Sequence, residues 1–287
     1  MATWAQRLAD HKRLAQLYTL PARKRRDAGT IHPVEDFLFQ YYPFPIALLE
    51  KWHPGVGIGL AWDLPEACNP FTNRCYSVKD RVLFADPDLL PAKRRESLTW
   101  ILQLLIATRD RLPNFACHGL HEWAMVYKGR QIRHESVAEL RLPQAEIDEL
   151  VESHPISCSH YDAFRHFAPD ARSYNRLNPT IEQRANFEQP GCVHANMDLY
   201  KWAAKAMPWV GTELLLICFE VAIELRDLDM RASPYDLTAW GCEPIQIENP
   251  EGRKIYENEQ KRLAFKALAV REKLIYKLQF AAFKQSI

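Results

Sequence analysis

The chain has 287 residues, of which 47% are hydrophobic and 25% are charged, a balance that is ordinary for a soluble globular protein. That composition excludes a disordered tail and a collagen-like fibre. Lysine and arginine together number 37, and aspartate and glutamate 36, which gives a formal net charge of +1. Binding to DNA, RNA or an anionic membrane would therefore need a local basic patch, because the whole chain offers no electrostatic attraction.

The cysteine pattern and the first residues favour a cytoplasmic protein. The seven cysteines are widely spaced, and no basic segment followed by an apolar one opens the chain as a secretory signal would. We therefore expect free thiols. The most apolar stretch, residues 214–223, is about ten residues long, whereas a membrane-spanning helix needs about 20, so we expect no membrane association.

In chain order, the first predicted element is a helix over residues 2–18 that ends before Pro21. The basic run Arg23–Arg26 follows, and it fits either a solvated helix end or a patch that contacts phosphates. Residues 32–62 are rich in aromatic side chains and prolines, which is typical of a rigid core wall and also suits flat ligands. Residues 93–110 predict a buried helix with a basic start.

The second half of the chain is mostly helical in pattern. Residues 124–134 alternate around a Lys-Gly-Arg turn and suggest a hairpin. Residues 198–229 predict helix with an interruption near Pro208, residues 243–248 predict one strand, and residues 253–285 predict a long amphipathic helix.

These elements predict an α+β fold that is predominantly α-helical, with a small β element. Since no repeat, low-complexity tract or Gly/Ser linker divides the chain, we expect one compact globular domain over residues 1–287. The long C-terminal helix could pack on its own core or pair with a second subunit, which leaves the oligomeric state open.

Three clusters of histidines and carboxylates are candidates for chemistry. His118, His121 and Glu122 lie within five residues and could supply metal ligands or an acid/base pair, or serve only capping and core hydrogen bonds. The other two clusters have alternate-residue spacing, which in an extended segment points side chains to one face. They are Cys158, His160 and Asp162, and then Cys192, His194, Asn196 and Asp198.

Two interpretations of these alternating clusters remain open. The two Cys-x-His pairs could form a zinc site, although structural zinc ligands usually lie two to four residues apart. A polar pocket floor made of His160, Asp162, His194 and Asp198 fits the pattern better. If residues 162–165 are helical, Arg165 holds the Asp162 carboxylate ionised.

A stripe of carboxylates marks the predicted helix near residue 220. Glu213, Glu220, Glu224 and Asp227 recur at helical spacing on an otherwise apolar helix. The stripe fits a thin solvent-facing edge, or a metal site inside a helix bundle completed by histidines. The charged turn that follows could form the rim of a site, through Asp229, Arg231, Tyr235 and Asp236.

Five longer blocks resemble a bacterial family labelled 3-methyladenine DNA glycosylase. The blocks are HPVEDFLFQYYPF, HGLHEWAMVY, CSHYDAFRHF, EQPGCVHANMDLYKWA and LDMRASPYDL, and the likeness extends from about residue 10 to about residue 265. The resemblance implies hydrolysis of the N-glycosidic bond of an alkylated base in DNA. Enzymes of that activity flip the base into an aromatic pocket, and many use a carboxylate to activate water.

The chain contains residues suited to that reaction. The catalytic candidates, with Asp162 or Asp198 as general base, are Glu122, Asp162, Asp198, His160 and Arg165. The candidates for binding the substrate are Tyr42, Trp52, Trp123, Tyr161, Trp202, Asn196, Arg231 and Asp236. The basic residues Arg23–Arg26 and Lys93–Arg95 would contact phosphates.

The alternative hypothesis is a metal-dependent enzyme that acts on a small molecule. Its ligands would come from His118, His121 and His194, from the carboxylates and His160 named above, and from Glu220 and Glu224. Two histidines and a carboxylate suit iron, more carboxylates suit a dinuclear centre, and zinc is a further candidate. A third hypothesis is a binding module without chemistry, which holds a ligand or a partner helix.

Overall fold

The structure, a computed structural model, describes residues 3–63, 71, 74–129 and 138–283. In that part of the chain the α-helices are α1 Trp4–Asp27, α2 Phe37–Tyr41, α3 Ala47–Glu50, α4 Ala92–Arg109, α5 Leu120–Met125, α6 Gln144–Ser153, α7 Tyr161–Phe164, α8 Arg184–Phe187, α9 Val193–Lys205, α10 Thr212–Arg231 and α11 Pro250–Ala282. The strands are β1 Gly59–Ala61, β2 Tyr76–Lys79 and β3 Val82–Ala85. The predicted helix-rich α+β fold class is confirmed.

The small sheet is antiparallel, with the strand order β1-β3-β2. A tight turn joins β2 to β3, and both of its residues, Asp80 and Arg81, have left-handed φ angles of 50° and 61°. Such turns match the right-handed twist of the two strands that they connect. Leu83, at the centre of the sheet, is fully buried and pairs with Leu60 on one side and Val78 on the other.

Helix α1 is longer than predicted, because it passes through Pro21 and ends at Asp27. A proline inside a helix removes one N–H donor but keeps a helical φ angle. Burial of Thr19 and Ala22 on either side of the proline stabilises the helix at this point. The basic run lies in the last turn, where positive charge interacts favourably with the helix dipole.

The long predicted helices agree with the structure. Residues 93–110 correspond to α4, and the interruption near Pro208 separates α9 from α10. The C-terminal helix α11 begins already at Pro250, and proline suits the first position of a helix because its missing N–H has no partner there.

The hairpin predicted for residues 124–134 is wrong over its described part. Ala124 and Met125 lie in α5, Tyr127–Gly129 form a 3-10 turn, and residues 130–137 lie outside the described part of the chain. The alternation of apolar and polar residues that suggested a hairpin comes from side chains that are buried in a helix and a turn.

The strand predicted for residues 243–248 is also wrong. The Ile245 N–H donates to Arg231 O at 2.7 Å, and the Ile247 N–H donates to Ile245 O at 2.9 Å, which makes a turn against the end of α10. Both isoleucines are buried. Their alternation therefore reflects burial without a neighbouring strand.

Contacts between residues divide the chain into two units. Unit 1 contains residues 1–106, 199–220 and 269–287, and unit 2 contains residues 107–198 and 221–268. This division by contacts does not test the prediction that the chain is one compact domain. None of the described helices combines the length and the apolar character that a bilayer span requires.

Candidate metal centre

Helix α5 places two side chains of the candidate site. Its N-cap, Gly119, has a left-handed φ of 78°, and a Cβ there would lie 3.1 Å from the Cβ of Ala232. Glycine avoids both the strain and the close contact. The indole N–H of Trp123 donates to Ala232 O at 2.8 Å and fixes the helix, so that His121 and Glu122 are buried in its first turn.

Helices α9 and α10 supply the remaining side chains. His194 lies in the first turn of α9 and is half-buried. Asp229 lies in the last turn of α10 and is fully buried, and Arg226 precedes it by three residues on the same face.

These residues form the first of two histidine-carboxylate groups, which we call the His121 group: His121, Glu122, His194 and Asp229. One ligand atom from each of the four lies within 4.8 Å of all the others. His121 Nε2 is 2.9 Å from Asp229 Oδ1, and His194 Nε2 is 3.8 Å from Asp229 Oδ2. The structure therefore has a buried group that could hold a metal ion.

A buried arginine offsets part of the negative charge of this group. Arg226 Nη1 lies 3.9 Å from Glu122 Oε1 and 3.7 Å from Asp229 Oδ2, and Arg226 is 2% exposed. These are ion-pair distances longer than a hydrogen bond. Among the described residues, no donor of ordinary hydrogen-bond geometry reaches Asp229 Oδ2.

Within the His121 group, the surroundings lower the pKa of two side chains below the usual value and raise that of the other two. Burial lowers the pKa of His194 to about 3, so that its imidazole is neutral. Burial opposes a charge on His121 as well, but Asp229 and Cys117 outweigh it and raise its pKa well above the usual value. Burial and the nearby Asp229 raise the pKa of Glu122. Burial also opposes ionisation of Asp229, but the two histidines and Arg226 lower its pKa.

The second group, which we call the His160 group, contains His160, Asp162 and Asp198. His160 Nε2 lies 3.3 Å from Asp198 Oδ2. Asp162 is bound by two guanidinium groups, since Arg184 Nη2 donates to Oδ2 at 2.6 Å and Arg165 Nε lies 3.2 Å from Oδ1. Both oxygens of Asp162 are therefore engaged by cations.

The two groups meet through their histidines. The rings of His160 and His194 are stacked, with centroids 5.5 Å apart and planes at 22°. The ring of His121 packs edge-on against His194, with centroids 4.7 Å apart. Glu188 extends the network, because its Oε1 lies 3.6 Å from His160 Nε2 and 3.2 Å from Arg184 Nε.

A small cavity borders the His121 group. Its lining includes Cys117, His121, Cys158, Cys192, His194 and Tyr256. The space open to the centre of a water-sized molecule is about 10 Å³, which is room for about one water. Cys117 Sγ contacts His121 Nδ1 at 3.3 Å. The Cys158 thiol and His121 lower the pKa of Cys117 well below its usual value, while burial raises the pKa of Cys192 to about 12.

The structure thus brings most of the predicted histidines and carboxylates together. The four side chains of the predicted pocket floor, His160, Asp162, His194 and Asp198, lie close together, but of the four only His194 lines the small cavity. The spacing argument for Asp198 was wrong. Residues 193–198 are helical rather than extended, and His194 and Asp198 share a face because they are four residues apart in α9.

Two other predicted side chains lie apart from both groups. His118 precedes the N-cap of α5, and its Nε2 lies 3.4 Å from Glu257 Oε2. Asn196 is buried and donates to Pro190 O at 2.9 Å. Neither of the two metal-capable groups in the described part of the chain includes these residues or a cysteine.

The carboxylate stripe on α10 is the solvent-facing edge of the helix. Side chains of Glu213, Glu224 and Asp227 are 46%, 37% and 45% exposed. Glu220 accepts a hydrogen bond from the Tyr18 hydroxyl at 3.2 Å. The expected ligand role of Glu220 and Glu224 is therefore wrong, because neither belongs to a group that could hold a metal among the described residues.

The predicted aromatic side chains are divided between the units. Tyr42, Trp52 and Trp202 belong to unit 1, where they are buried in its core. Trp123 is fully buried in unit 2, and Tyr161, half-buried, begins α7 beside the His160 group.

Several side chains that were predicted to form a site rim or to contact phosphates contact other groups of the protein. Arg231 Nε donates to Glu243 O at 3.0 Å, and the exposed Asp236 accepts from Thr238. In unit 1, Arg25 pairs with Asp36 at 2.7 Å. Arg23 lies 3.2 Å from Glu50, and Arg95 donates to the carbonyls of Pro87 and Ala282 at 2.7 and 2.8 Å.

Three residues of the network were not predicted, and Asp229 was predicted only for the rim of a site. The three are Arg184, Glu188 and Arg226, of which Arg226 lies on α10 with Asp229. The signal for these two lies in α10, whose buried positions Leu215, Phe219 and Ala222 continue at helical spacing into them. A charged residue on the apolar face of a helix indicates a buried partner.

No family model, curated protein or solved structure matches this chain. The two histidine-carboxylate groups are therefore the observations on which a function can be argued.

Proposed function

We propose that the chain is a metal-dependent enzyme whose divalent ion is held by the His121 group. The observation that carries the proposal is the convergence of four ligand atoms within 4.8 Å of one another, from three buried residues and the half-buried His194. Burying two carboxylates and two imidazoles costs stability unless cations or donors compensate them. A divalent cation at their centre would provide that compensation and a chemical role.

The donor atoms fit such an ion. The imidazole of His194 is neutral, which is the form that binds a metal, and Asp229 Oδ2 has no donor of ordinary geometry among the described residues. His121 would release a proton on binding. The His160 group fits less well, because both oxygens of Asp162 already face Arg184 and Arg165.

The donor set narrows the choice of ion. Two imidazoles and two carboxylates, without thiolate, suit zinc, ferrous iron or manganese. A bound ion would supply Lewis acidity or lower the pKa of a bound water. Arg226 would limit the net negative charge of the ligands, and the adjacent cavity, with room for about one water, would admit only a small reacting group.

The test is elemental analysis of protein purified without chelator and of apoprotein reloaded separately with Zn²⁺, Fe²⁺ and Mn²⁺. We expect roughly one ion per chain for the unmodified chain, and a ratio well below one for Asp229→Asn and His194→Gln. Asp162→Asn is the matched control from the His160 group and should keep its ion. An unmodified chain that takes up none of the three ions, or an equal loss in all three variants, contradicts the proposal.

A catalytic ion also needs an open position. In protein loaded with Co²⁺, addition of azide should change the visible absorption of the ion, because catalytic sites leave one ligand position to water. A spectrum that azide does not change would indicate a closed, structural ion and overturn the enzymatic part of the proposal.

Removal of an alkylated base from DNA is a second proposal. One observation supports it: Tyr161, half-buried, and Asp162, whose side chain is 17% exposed, follow each other at the start of α7, so an aromatic side chain and a carboxylate are both partly accessible there. Release of 3-methyladenine from alkylated duplex by the unmodified chain, and its loss in Asp162→Asn, would support this activity. Absence of release at low salt would contradict it.

A further inference from the structure

Unit 1 contains an open groove whose lining includes no residue of the His121 group or the His160 group. The lining is mostly apolar, and we call it the Ile217 groove after five of its residues: Pro54, Ile58, Val210, Leu214 and Ile217. Its volume is about 470 Å³, within the range of sites that bind small molecules. An apolar surface of this kind suits a ligand with an apolar body.

Two backbone segments hold one side of the groove in place. The Val56 N–H donates to Trp209 O at 2.7 Å. A Cβ on Gly211 would lie 2.8 Å from Pro54 O, so only glycine permits the two segments to approach so closely. Because backbone packs against backbone here, this side of the groove is already formed without a ligand.

Lys277, on α11, is a half-buried cation in the lining of the groove. Its Nζ donates to Val56 O at 2.7 Å. An ammonium has three N–H donors, so two remain beyond this bond. Among the described residues, no carboxylate oxygen lies within ion-pair distance of Lys277 Nζ.

Glu213, which also lines the groove, is held by other donors. Its Oε2 accepts from Arg7 Nη2 at 2.7 Å, and its Oε1 accepts from the Trp52 indole N–H at 3.1 Å. Burial lowers the pKa of Lys277, and the charge of Glu213 offsets only part of that effect. A cation that burial disfavours and that has no ion pair is stabilised by a ligand that brings an anion.

We propose that the Ile217 groove binds an apolar monocarboxylate, of the class of a medium-chain fatty acid, whose carboxylate pairs with the Lys277 ammonium. The alkyl chain lies against the apolar lining, and the carboxylate accepts the two N–H donors that Val56 does not use. Since Glu213 and the exposed Glu272 also line the groove, a singly charged head suits it better than a phosphate.

The test is isothermal titration calorimetry of the full chain at pH 7 with decanoate and, separately, with decanol, each below its solubility or micelle limit. We expect one decanoate per chain and a dissociation constant about tenfold lower than that of decanol, which lacks the charge. Lys277→Gln should weaken decanoate about tenfold and leave decanol unchanged, because glutamine keeps a donor for Val56 O without the charge.

Two further variants make the result specific. Lys273→Gln is the matched control, since Lys273 lines the same groove but is exposed, and it should change the dissociation constant of decanoate by less than about twofold. Ile217→Ser should weaken decanoate and decanol alike, because both lose the same apolar contact.

Three outcomes would overturn the proposal. The first is heat that does not saturate at one decanoate per chain. The second is an equal loss in Lys273→Gln and Lys277→Gln, which would mean diffuse attraction to surface charge. The third is a dimer, seen by sedimentation, that decanoate or Ile217→Ser dissociates, since the occupant of the groove would then be a second copy of the chain.

Discussion

Among the described residues, unit 2 buries more charged side chains than unit 1. In unit 1, the rings of Phe39 and Tyr200 each lie 5.1 Å from that of Phe219, and Tyr18 packs edge-on against the same ring. In unit 2, the buried described residues include eight arginines, histidines and carboxylates: His121, Glu122, His160, Arg184, Glu188, Asp198, Arg226 and Asp229. Unit 1 buries four such side chains: His11, Asp36, His53 and Arg271.

This difference has an energetic meaning. Burial of aromatic side chains stabilises a fold directly, at roughly 1.5–3 kcal/mol for each large side chain. Burial of an ion pair is close to neutral at best, and often less favourable than apolar packing of the same volume. As ion pairs alone, the buried charges of unit 2 therefore contribute little to stability. Their concentration in unit 2 accords with the metal centre proposed for the His121 group.

The largest expected effect comes from unit 2. Replacing Arg226 by methionine should lower the free energy of unfolding by about 3–5 kcal/mol, because the carboxylates of Glu122 and Asp229 then lose a buried cation. Urea unfolding followed by circular dichroism measures the change.

A matched control lies one turn further along α10. Arg231 is half-exposed, and its Nη1 lies 3.6 Å from Asp227, so Arg231→Met should cost no more than about 1 kcal/mol. Equal losses for the two variants would mean that unit 2 does not depend on the burial of its charges.

The stability of unit 1 should depend on pH through one buried neutral histidine. Burial lowers the pKa of His53 to about 4, and its Nδ1 lies 2.8 Å from the hydroxyl of Tyr76. Since the unfolded chain binds this proton near pH 6.5, the contribution of His53 to stability is complete above that pH. It is lost as the pH falls toward 4, by up to about 3 kcal/mol.

The measurement compares unfolding free energies of the unmodified chain and His53→Gln at pH 7.5 and 5. The unmodified chain should lose more stability over that interval, because glutamine does not titrate. Parallel losses in the two chains would show that His53 does not take up its proton in this way.

The sequence predicts those parts of the fold and of the candidate site that depend on residues close together in the chain. Long periodic segments such as α4 and α11 were predicted, as were His121, Glu122 and His194, because chemistry-bearing residues cluster in short stretches. The continuation of α1 through Pro21 was missed, since it depends on the burial of Ala22. Asp229 was predicted only for a site rim and not as a partner of His121, because His121 lies 108 residues away.

A third prediction concerns the glycine that begins α5. Gly119→Ala should cost about 2 kcal/mol, since a left-handed φ is unfavourable for alanine and its Cβ would crowd Ala232. Gly29 also has a left-handed φ of 67°, but a Cβ there would meet nothing within 4 Å, so Gly29→Ala should cost only about 1 kcal/mol. If the cost at Gly29 equals or exceeds that at Gly119, crowding against Ala232 does not constrain the start of α5.

The smallest effect is expected at the carboxylate stripe. It tests whether the exposed face of α10 differs in role from the buried face that carries Asp229. Glu224 lies on α10 five residues before Asp229, but its side chain is 37% exposed and pairs with Lys266 on the surface. Glu224→Gln should change the unfolding free energy by no more than about 0.5 kcal/mol, because water solvates the charges that remain. It should also leave metal uptake unchanged, since Glu224 is outside both histidine-carboxylate groups. A loss of bound metal in this variant, measured with Asp229→Asn as reference, would move the proposed centre to the outer face of α10 and leave the buried charges of unit 2 without their proposed role.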